Sequence, residues 1–259
     1  MSDVGRVRPH NEDSGFVGPY VALVADGVGG AAAGEVASAT AAYAVSATAL
    51  GRPGEDPEAV MVAAAEAARV SVRRGVQRDL DRLGMATTLT ALVCDGARVV
   101  LGHVGDSRAY RYRSGELVQL STDHTYVQQM IDTGRLRREA VGTHPWRNVV
   151  LRSIDGDPDD EGLDVVPVDA VLGDRFLVCS DGLTDLVADA RIAELVAAGD
   201  PCTAAAALTE AALEAGGRDN VTCVVLDLVE GPVSAGDGEL LGAVGDRSNI
   251  VDESSVRLG

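Results

Sequence analysis

The chain has 259 residues, of which 46% are hydrophobic and 24% are charged, and its formal net charge at pH 7 is −18. These proportions are typical of a globular protein with enough chain for one large domain or two small ones. Because so acidic a chain has no excess of Lys and Arg to neutralise phosphates, its composition argues against nucleic-acid binding and favours metal cations as ligands.

The chain termini and cysteines indicate the compartment. The first residues, MSDVGRVRPHNED, carry charges where a signal peptide needs an apolar segment. The longest weakly apolar tract, 31–50, contains Glu35 and consists mostly of Ala, Ser and Thr, so it is unsuited to span a membrane. We therefore expect a cytoplasmic monomer. Its cysteines show no CxxC spacing and are expected to be buried free thiols: Cys94, Cys179, Cys202 and Cys223.

The first half of the chain shows helical patterns followed by hairpins. Helices are predicted at 34–50 and 57–83, the second ending before Gly84. The run TTLTALVCDGARVVLGHVG predicts a hairpin that turns at Asp95-Gly96, and RAYRYRSGELVQLS predicts another that turns at Ser114-Gly115. The polar segment 122–152 mixes Gly, Pro, Trp and charged residues, which predicts a surface flap.

The second half returns to strands and paired helices. Strands are predicted at LDVVPV, RFLVCSDG and NVTCVVLDLV, with helices at 189–198 and 201–215. Hairpins and helix pairs without regular strand–helix alternation indicate an α+β layered fold built on antiparallel sheets. From residue 230 turn-forming residues dominate, so we expect one domain at 1–229 and a disordered tail or linker at 230–259.

The glycine-rich loop after residues 21–26 suits either an anion or a cation. Its letters GVGGAA, at 27–32, formally fit the G-x-G-x-x-G/A dinucleotide fingerprint. That fingerprint requires a second strand with an acidic end about twenty residues on, whereas here the helix leads into another helix. A carboxylate at Asp26 would also repel a pyrophosphate, and a phosphate-binding P-loop would need Lys where Glu35 stands. The cation interpretation is therefore preferred.

Four aspartates stand at the edges of apolar strands: Asp26, Asp106, Asp181 and Asp219. A sheet sandwich can gather such edges at one end, where clustered carboxylates repel one another unless a divalent ion holds them. Oxygen ligands select Mg²⁺ or Mn²⁺ over zinc. Asp-Gly is also an ordinary turn, as expected at Asp95-Gly96, so each aspartate taken singly fits either interpretation.

Six motifs in this order resemble the metal-dependent protein phosphatases of type 2C (PPM family), and specifically their bacterial branch. They are RPHNED at 8–13, ADGVGG at 25–30, MATTL at 85–89, GDSRAY at 105–110, CSDGLTD at 179–185 and GGRDNVT at 216–222. The resemblance covers about residues 2–228. It implies a central sandwich of two antiparallel sheets with a pair of helices on each outer face, a four-layer αββα arrangement.

The resemblance also implies roles for the metal-binding positions. Asp26 would bridge two Mn²⁺ or Mg²⁺ ions, with the Gly27 carbonyl as another ligand. Asp181 and Asp219 would complete the first ion, and Glu12 would hold waters on the second. Two ions would lower the pKa of a bridging water and orient it for attack on phosphorus.

Further positions are assigned by the same resemblance. Arg8 would bind phosphate oxygens with its planar guanidinium. Asp13 and Asn220 would support the ligands from behind. Asp106, with Asp181, resembles the site of a weaker third ion.

The resemblance implies a serine/threonine protein phosphatase that opposes bacterial kinases, with phosphorylated proteins as partners. Two alternatives remain open, a switch phosphatase acting on a sigma-factor regulator and a non-catalytic binding module. One departure concerns the proton donor to the leaving group, since Val28 stands where animal relatives have histidine. A metal-bound water or a flap residue is a candidate donor, although His124 and His144 are expected to be surface or structural histidines.

Overall fold

The computed structural model describes residues 1–28, 33–231 and 236–252. Within these ranges eleven strands form two sheets in which every neighbouring pair is antiparallel. In chain order the strands are β1 Ser2–Asp3, β2 Asp13–Val17, β3 Val21–Asp26, β4 Leu89–Cys94, β5 Val99–Val104, β6 Arg108–Arg113, β7 Glu116–Gln119, β8 Asp164–Val168, β9 Arg175–Cys179, β10 Val221–Asp227 and β11 Glu239–Gly242.

The two sheets pack face to face. One has the strand order β1-β10-β9-β6-β7 and the other the order β11-β2-β3-β4-β5-β8. Strand β3 shows why the central strands are apolar throughout: Ala22 and Val24 face the opposite sheet, whereas Leu23 faces the helices. Because successive side chains point to opposite faces, a strand buried on both sides needs a continuous apolar run.

Helices cover the outer face of each sheet, which confirms the predicted α+β sandwich. In chain order they are α1 Gly34–Leu50, α2 Pro57–Arg78, α3 Tyr126–Asp132, α4 Asp181–Thr184, α5 Asp189–Val196 and α6 Pro201–Glu214. Helices α1 and α2 share a core with the six-stranded sheet, and α5 and α6 share one with the five-stranded sheet. Among the described helices, none combines the length and apolar character that a membrane crossing requires.

Helix α2 is shorter than its sequence pattern predicts. It ends at Arg78, and a separate 3₁₀ turn, Leu80–Arg82, follows. The Asp79 side chain accepts a hydrogen bond from the backbone N–H of Asp81, which starts the new turn and breaks the α-helical ladder. The four cysteines are free, as expected; Cys202 on α6 is exposed, however, and only Cys179 and Cys223 are fully buried.

The expectation of a disordered tail from residue 230 is wrong for the described residues 236–252. Strand β11 pairs with β2 along its whole length, from Glu239 opposite Val17 to Gly242 opposite Ser14. Val244 is completely buried within the α1–α2 core. The backbone N–H of Val251 donates to Thr40 Oγ1 on α1. These residues are therefore part of the sandwich.

Candidate metal centre

The predicted aspartates come together at one end of the sandwich. Asp26 is the last residue of β3, Asp106 lies in the turn between β5 and β6, and Asp181 is the first residue of α4, directly after β9. Asp219 lies just before β10. Desolvation raises the pKa of Asp26, and the charges of Asp181, Asp106 and Asp219 raise it further, so these three carboxylates lie within electrostatic reach of Asp26.

These carboxyl groups are enclosed by protein and repel one another when ionised. Desolvation is the main cause that raises the pKa of Asp26 and of Asp181 well above the ordinary range, and neighbouring carboxylates add to it. Desolvation, followed by the charge of Asp123, raises the pKa of Asp106 to about 7. Although Arg8 pairs with Asp219, the pKa values of Asp26, Asp181 and Asp106 remain raised, so ionising these carboxyl groups costs free energy that a divalent cation would offset.

Asp13 lies behind Asp26 and pairs with it across β2 and β3. It is completely buried, and desolvation raises its pKa to about 6 although Ser180 Oγ donates a hydrogen bond to its Oδ2 at 2.7 Å. Among the described residues, its buried Oδ1 has no hydrogen-bond partner. An acceptor-only oxygen of this kind fits a cation or its coordinated water, so the donor set suits a hard divalent ion.

The backbone of Asp26 is fixed by two threonines of the MATTL motif. Its N–H donates to Thr88 Oγ1 at 3.0 Å, while its carbonyl accepts from Thr87 Oγ1 at 2.9 Å and from the Thr88 N–H at 2.8 Å. Gly27 is required here by close approach, because a Cβ on it would lie 2.5 Å from the backbone oxygen of Gly34. The remainder of the GVGGAA loop, 29–32, lies outside the described residues.

Arg8 and Asp219 contact each other directly, which the sequence did not indicate. Arg8 Nη2 lies 2.8 Å from Asp219 Oδ2, and the two side chains are 43% and 35% exposed. The guanidinium is thus at the mouth of the acidic cluster. The charge of Arg8 also lowers the pKa of Glu12, although burial has the larger effect and raises it.

Asn220 connects the N-terminal loop to the same region. Its Oδ1 accepts the backbone N–H of Glu12 at 2.8 Å, and its Nδ2 donates to the carbonyls of Val4 and His10 at 2.9 Å each. The loop that carries Arg8 and Glu12 is therefore fixed beside Asp219. Among the described residues, no three acidic, His or Cys side chains already stand as a closed set of metal ligands.

A cleft of about 370 Å³ opens over Asp106 and Asp181, between the sandwich and the flap segment, residues 122–152. Two acidic residues that the sequence analysis did not single out, Asp123 and Asp185, also line it. The charges of both raise the pKa of Asp106. Asp185 stands four residues after Asp181, a spacing that would have indicated a shared face on the helical turn. The flap reaches this face through Asn148 Nδ2, which donates to Asp185 Oδ2 at 3.0 Å.

The histidines and Val28 do not line the cleft over Asp106 and Asp181. His103 is buried and His124 is partly buried at the base of the flap, with ring centroids 4.9 Å apart. His144 lies in the flap, where it contacts Tyr126 and Trp146. The backbone N–H of Val28 donates to the Ala86 carbonyl at 2.9 Å.

Fold and site together define an α+β sandwich protein with an acidic, carboxylate-lined cleft at one end. The family model of protein phosphatase 2C matches residues 11–214. The chain belongs to the protein phosphatase 2C family.

Two curated relatives illustrate the similarity. The serine/threonine protein phosphatase PstP of Mycobacterium tuberculosis is 42% identical over 243 residues, which cover 94% of this chain and 47% of that protein. The chain thus spans about half the length of this relative. The serine/threonine phosphatase stp of Listeria innocua is 32% identical over 237 residues, which cover 87% of this chain and 93% of that protein.

Solved structures agree with the fold. A crystal structure of the M. tuberculosis phosphatase PstP/Ppp matches with a TM-score of 0.83 and 42% identity, covering 89% of this chain and 97% of that one. A second structure, the PstP catalytic domain in complex with 2 manganese ions, matches with a TM-score of 0.82 and 40% identity, covering 89% of this chain and 96% of that one.

Proposed function

We propose that the chain is a metal-dependent protein phosphatase that hydrolyses phosphoserine and phosphothreonine in proteins. The observation that carries the proposal is that Asp106 and Asp181 line one cleft and lie within electrostatic reach of the buried Asp26, where desolvation and then neighbouring carboxylates raise the pKa of each carboxyl group. A purely structural cluster gains nothing from such repulsion, whereas a divalent-cation site requires the charge. Family membership supports the same activity.

The metal ligands proposed for Mn²⁺ or Mg²⁺ are the residues at the strand ends. Asp26 would be the shared ligand, the Gly27 carbonyl would assist it, and Glu12 would act through water. Asp181 and Asp219 would complete the site, and Asp106 would serve a further ion together with Asp181. When bound, a pair of ions activates water and neutralises charge on the phosphoryl group.

The other residues of the site orient the substrate and the ligands. Arg8 is exposed at the mouth of the cluster, and its guanidinium is positioned to donate hydrogen bonds to phosphate oxygens in place of the Asp219 carboxylate. It would neutralise charge that develops on these oxygens during displacement. Asn220 fixes the loop that carries Arg8 and Glu12. Asp13, held by Ser180, supports Asp26 from behind.

The proposal extends to partners and domain limits. Proteins phosphorylated by serine/threonine kinases are the proposed substrates, and the chain is proposed to act as a cytoplasmic monomer. The catalytic domain is proposed to extend to residue 252, because β11 and Val244 belong to the sandwich. The names of the relatives support the substrate class, and the structure supports the domain limit.

A phosphatase assay with metal removal and replacement tests the function. The purified chain should hydrolyse p-nitrophenyl phosphate and a phosphothreonine peptide with Mn²⁺ or Mg²⁺, lose activity in EDTA and recover it when metal is restored. Asp181→Asn, prepared identically, controls for a contaminating phosphatase. Full turnover in EDTA would refute metal dependence. Manganese binding without hydrolysis of either substrate would instead indicate the non-catalytic binding module.

A further inference from the structure

The turn that carries Asp106 is held on one side by a single histidine. The backbone N–H of His124 donates to the Gly105 carbonyl at 2.7 Å, and the Gly105 N–H donates to His124 Nδ1 at 3.1 Å. Both polar groups of the Gly105 backbone are therefore bonded to one residue. Since Gly105 directly precedes Asp106, a shift of His124 would displace the carboxylate.

The other side of the same turn is held by two threonines, Thr90 in β4 and Thr88 directly before β4. Thr90 Oγ1 donates to the Ser107 carbonyl at 2.9 Å, and Thr88 Oγ1 lies 2.9 Å from Ser107 Oγ. Thr88 also accepts the N–H of Asp26. The Asp26 backbone is thus linked through the Thr88 hydroxyl to the side chain of Ser107, the residue after Asp106, and His124 is the restraint on the side facing the flap.

The hydrogen-bond partners determine which nitrogen of the His124 ring carries the proton. The Gly105 N–H can only donate, so Nδ1 must accept and the proton of the neutral ring resides on Nε2. That proton points to Asp164 Oδ2, 3.0 Å from Nε2. Arg152 Nη1, which can only donate, lies 2.7 Å from the same nitrogen and forms no hydrogen bond with it in this tautomer; the guanidinium is held by Asp164 Oδ1 and the Gly162 carbonyl at 3.0 and 2.9 Å. The ring is fixed by Gly105 at Nδ1 and by Asp164 at Nε2, and its side chain is 9% exposed.

His124 also closes the base of the flap segment. Its carbonyl accepts the backbone N–H of Leu151 at 2.8 Å, joining the start of the segment to its end. The adjacent Thr125 and Val150 form a β-bridge. One residue therefore contacts the ends of the flap and the turn that precedes Asp106.

We propose that His124 is a positioning residue that acts through Gly105 to set the place of the Asp106 carboxylate relative to Asp181. The proposal rests on the proposed function for its catalytic consequence. It assigns to His124 a role that the sequence analysis did not give it. The mechanism is positional, because the ring contacts neither the substrate cleft nor the metal ligands and transmits the constraint through the Gly105 backbone alone.

Two amide variants distinguish the roles of the two ring nitrogens of His124. In His124→Asn the side-chain oxygen can occupy the place of Nδ1 and still accept the Gly105 N–H, whereas in His124→Gln the amide reaches the place of Nε2 and leaves that N–H without its acceptor. We expect His124→Asn to retain near-normal affinity for the weakest-bound Mn²⁺. His124→Gln should weaken that affinity about ten-fold or more, the range typical of residues that orient metal ligands. Calorimetric titration of Mn²⁺ into the full chain measures both.

His103→Asn is the matched control. His103 is buried and packs against the His124 ring, and its own bonds go to the Thr122 carbonyl and to Thr90 Oγ1, which also bonds the Ser107 carbonyl. In His103→Asn the side-chain oxygen can occupy the place of Nδ1 and keep the Thr90 bond, so the variant loses only the bond to Thr122. This variant should lose thermal stability while keeping the Mn²⁺ isotherm of the wild type. Equal isotherms for His124→Asn and His124→Gln would overturn the proposal. The proposal would also be overturned if Mn²⁺ affinity fell in both His103→Asn and His124→Gln in proportion to the fall in melting temperature.

Activity measurements then separate this inference from the proposed function. In the phosphopeptide assay His124→Gln should lower kcat more than it raises KM, and His124→Asn should recover most of the loss. If the wild type binds Mn²⁺ but hydrolyses no phosphoester, the proposed function fails while the titrations still decide whether His124 positions Asp106. A wild-type titration without a weaker-bound ion would overturn the positioning role.

Discussion

Two Asp-Gly pairs follow adjacent strands of the same sheet, yet their side chains are in opposite situations. Asp95-Gly96 follows β4. Its Oδ1 accepts the backbone N–H groups of Ala97 and Arg98 at 2.8 Å each, and its Oδ2 accepts from the Arg98 guanidinium at 2.9 and 3.1 Å. These hydrogen bonds lower the pKa of Asp95, and the one from the backbone N–H of Arg98 has the largest effect. The carboxylate is satisfied within four residues of chain.

At Asp26-Gly27, where β3 ends, hydrogen bonds satisfy the backbone of Asp26 but not its carboxyl group. Thr87 and Thr88 bond its N–H and carbonyl, while its carboxyl group meets other carboxylates that, after desolvation, raise its pKa. The same dipeptide is thus a hairpin turn in one place and a candidate ligand in the other. What separates them is whether the side chain finds its partners nearby or is enclosed with groups of its own charge.

Exchanging the carboxylate for an amide should give the largest difference between the two pairs. Asp26→Asn removes the shared ligand and should reduce turnover of a phosphothreonine peptide at least about 1,000-fold, in line with loss of a principal electrostatic group. Asp95→Asn should stay within about two-fold of the wild type, because it lies outside the cleft. Steady-state kinetics in Mn²⁺ measure both. Activity above a tenth of normal in Asp26→Asn would contradict the assignment.

The arginines that bind aspartate at each site offer a second contrast. Arg8→Ala should lower kcat/KM for the phosphopeptide about 100-fold, since one charged donor to the phosphoryl oxygens is lost. Arg98→Ala should leave kinetics unchanged, as its exposed ion pairs with Asp95 and Asp56 lie outside the cleft. Calorimetry should show Mn²⁺ still bound to the Arg8 variant. Loss of tight metal binding there would give Arg8 a structural role instead.

The two glycines should differ in what an added methyl group costs. At Gly27 a Cβ would lie 2.5 Å from the Gly34 carbonyl oxygen, so Gly27→Ala should reduce the free energy of unfolding by about 2–3 kcal/mol through overpacking. Gly96 has φ +94° with open space around the Cβ position, so Gly96→Ala should cost about 1 kcal/mol from backbone strain alone. Denaturant titrations decide the order. Equal losses would mean that the Gly34 backbone yields easily.

The carboxyl groups of the acidic cluster and Asp95 should change the stability of the fold in opposite directions as pH rises. A carboxyl whose pKa is raised by folding binds more protons in the folded state, so it destabilises the metal-free fold as pH rises through about 6–7, the values for Asp13 and Asp106. In EDTA, Asp26→Asn should therefore melt higher than the wild type at pH 8, with a smaller advantage at pH 5. The lowered pKa of Asp95 acts oppositely: its stabilisation is present above its unfolded-state pKa and is lost in acid. Melting curves in which Asp26→Asn gains nothing at pH 8 would refute the repulsion.

The strand-edge aspartates could be found in the sequence because strand ends in a sandwich meet at a common edge. Asp26, Asp106 and Asp181 each follow an apolar run, and the motifs around them are distinctive. The structure brings Asp106 and Asp181 to one cleft, within electrostatic reach of Asp26. A local feature, Arg98 three residues after Asp95, distinguishes the Asp-Gly pair that only forms a turn.

Contacts between residues distant in sequence could not be predicted in this way. The Arg8–Asp219 ion pair and the bonds from Asn220 to the N-terminal loop span more than two hundred residues. His124 resembles an ordinary buried histidine until the position of Gly105 is known. The helix 57–83 was overextended because the Asp79 side chain, which competes for the backbone at that point, leaves little mark on the apolar pattern.

Strand β11 matters for how the chain tolerates shortening. A chain cut at residue 229 would expose β2, a five-residue strand containing Phe16, as the open edge of its sheet. Unpaired backbone groups on such an edge are a template for association with another chain. The same strand begins at Asp13, opposite Asp26, so fraying would spread directly toward the acidic cleft. A shortened form that must remain soluble and bind metal therefore has to retain residues 236–252.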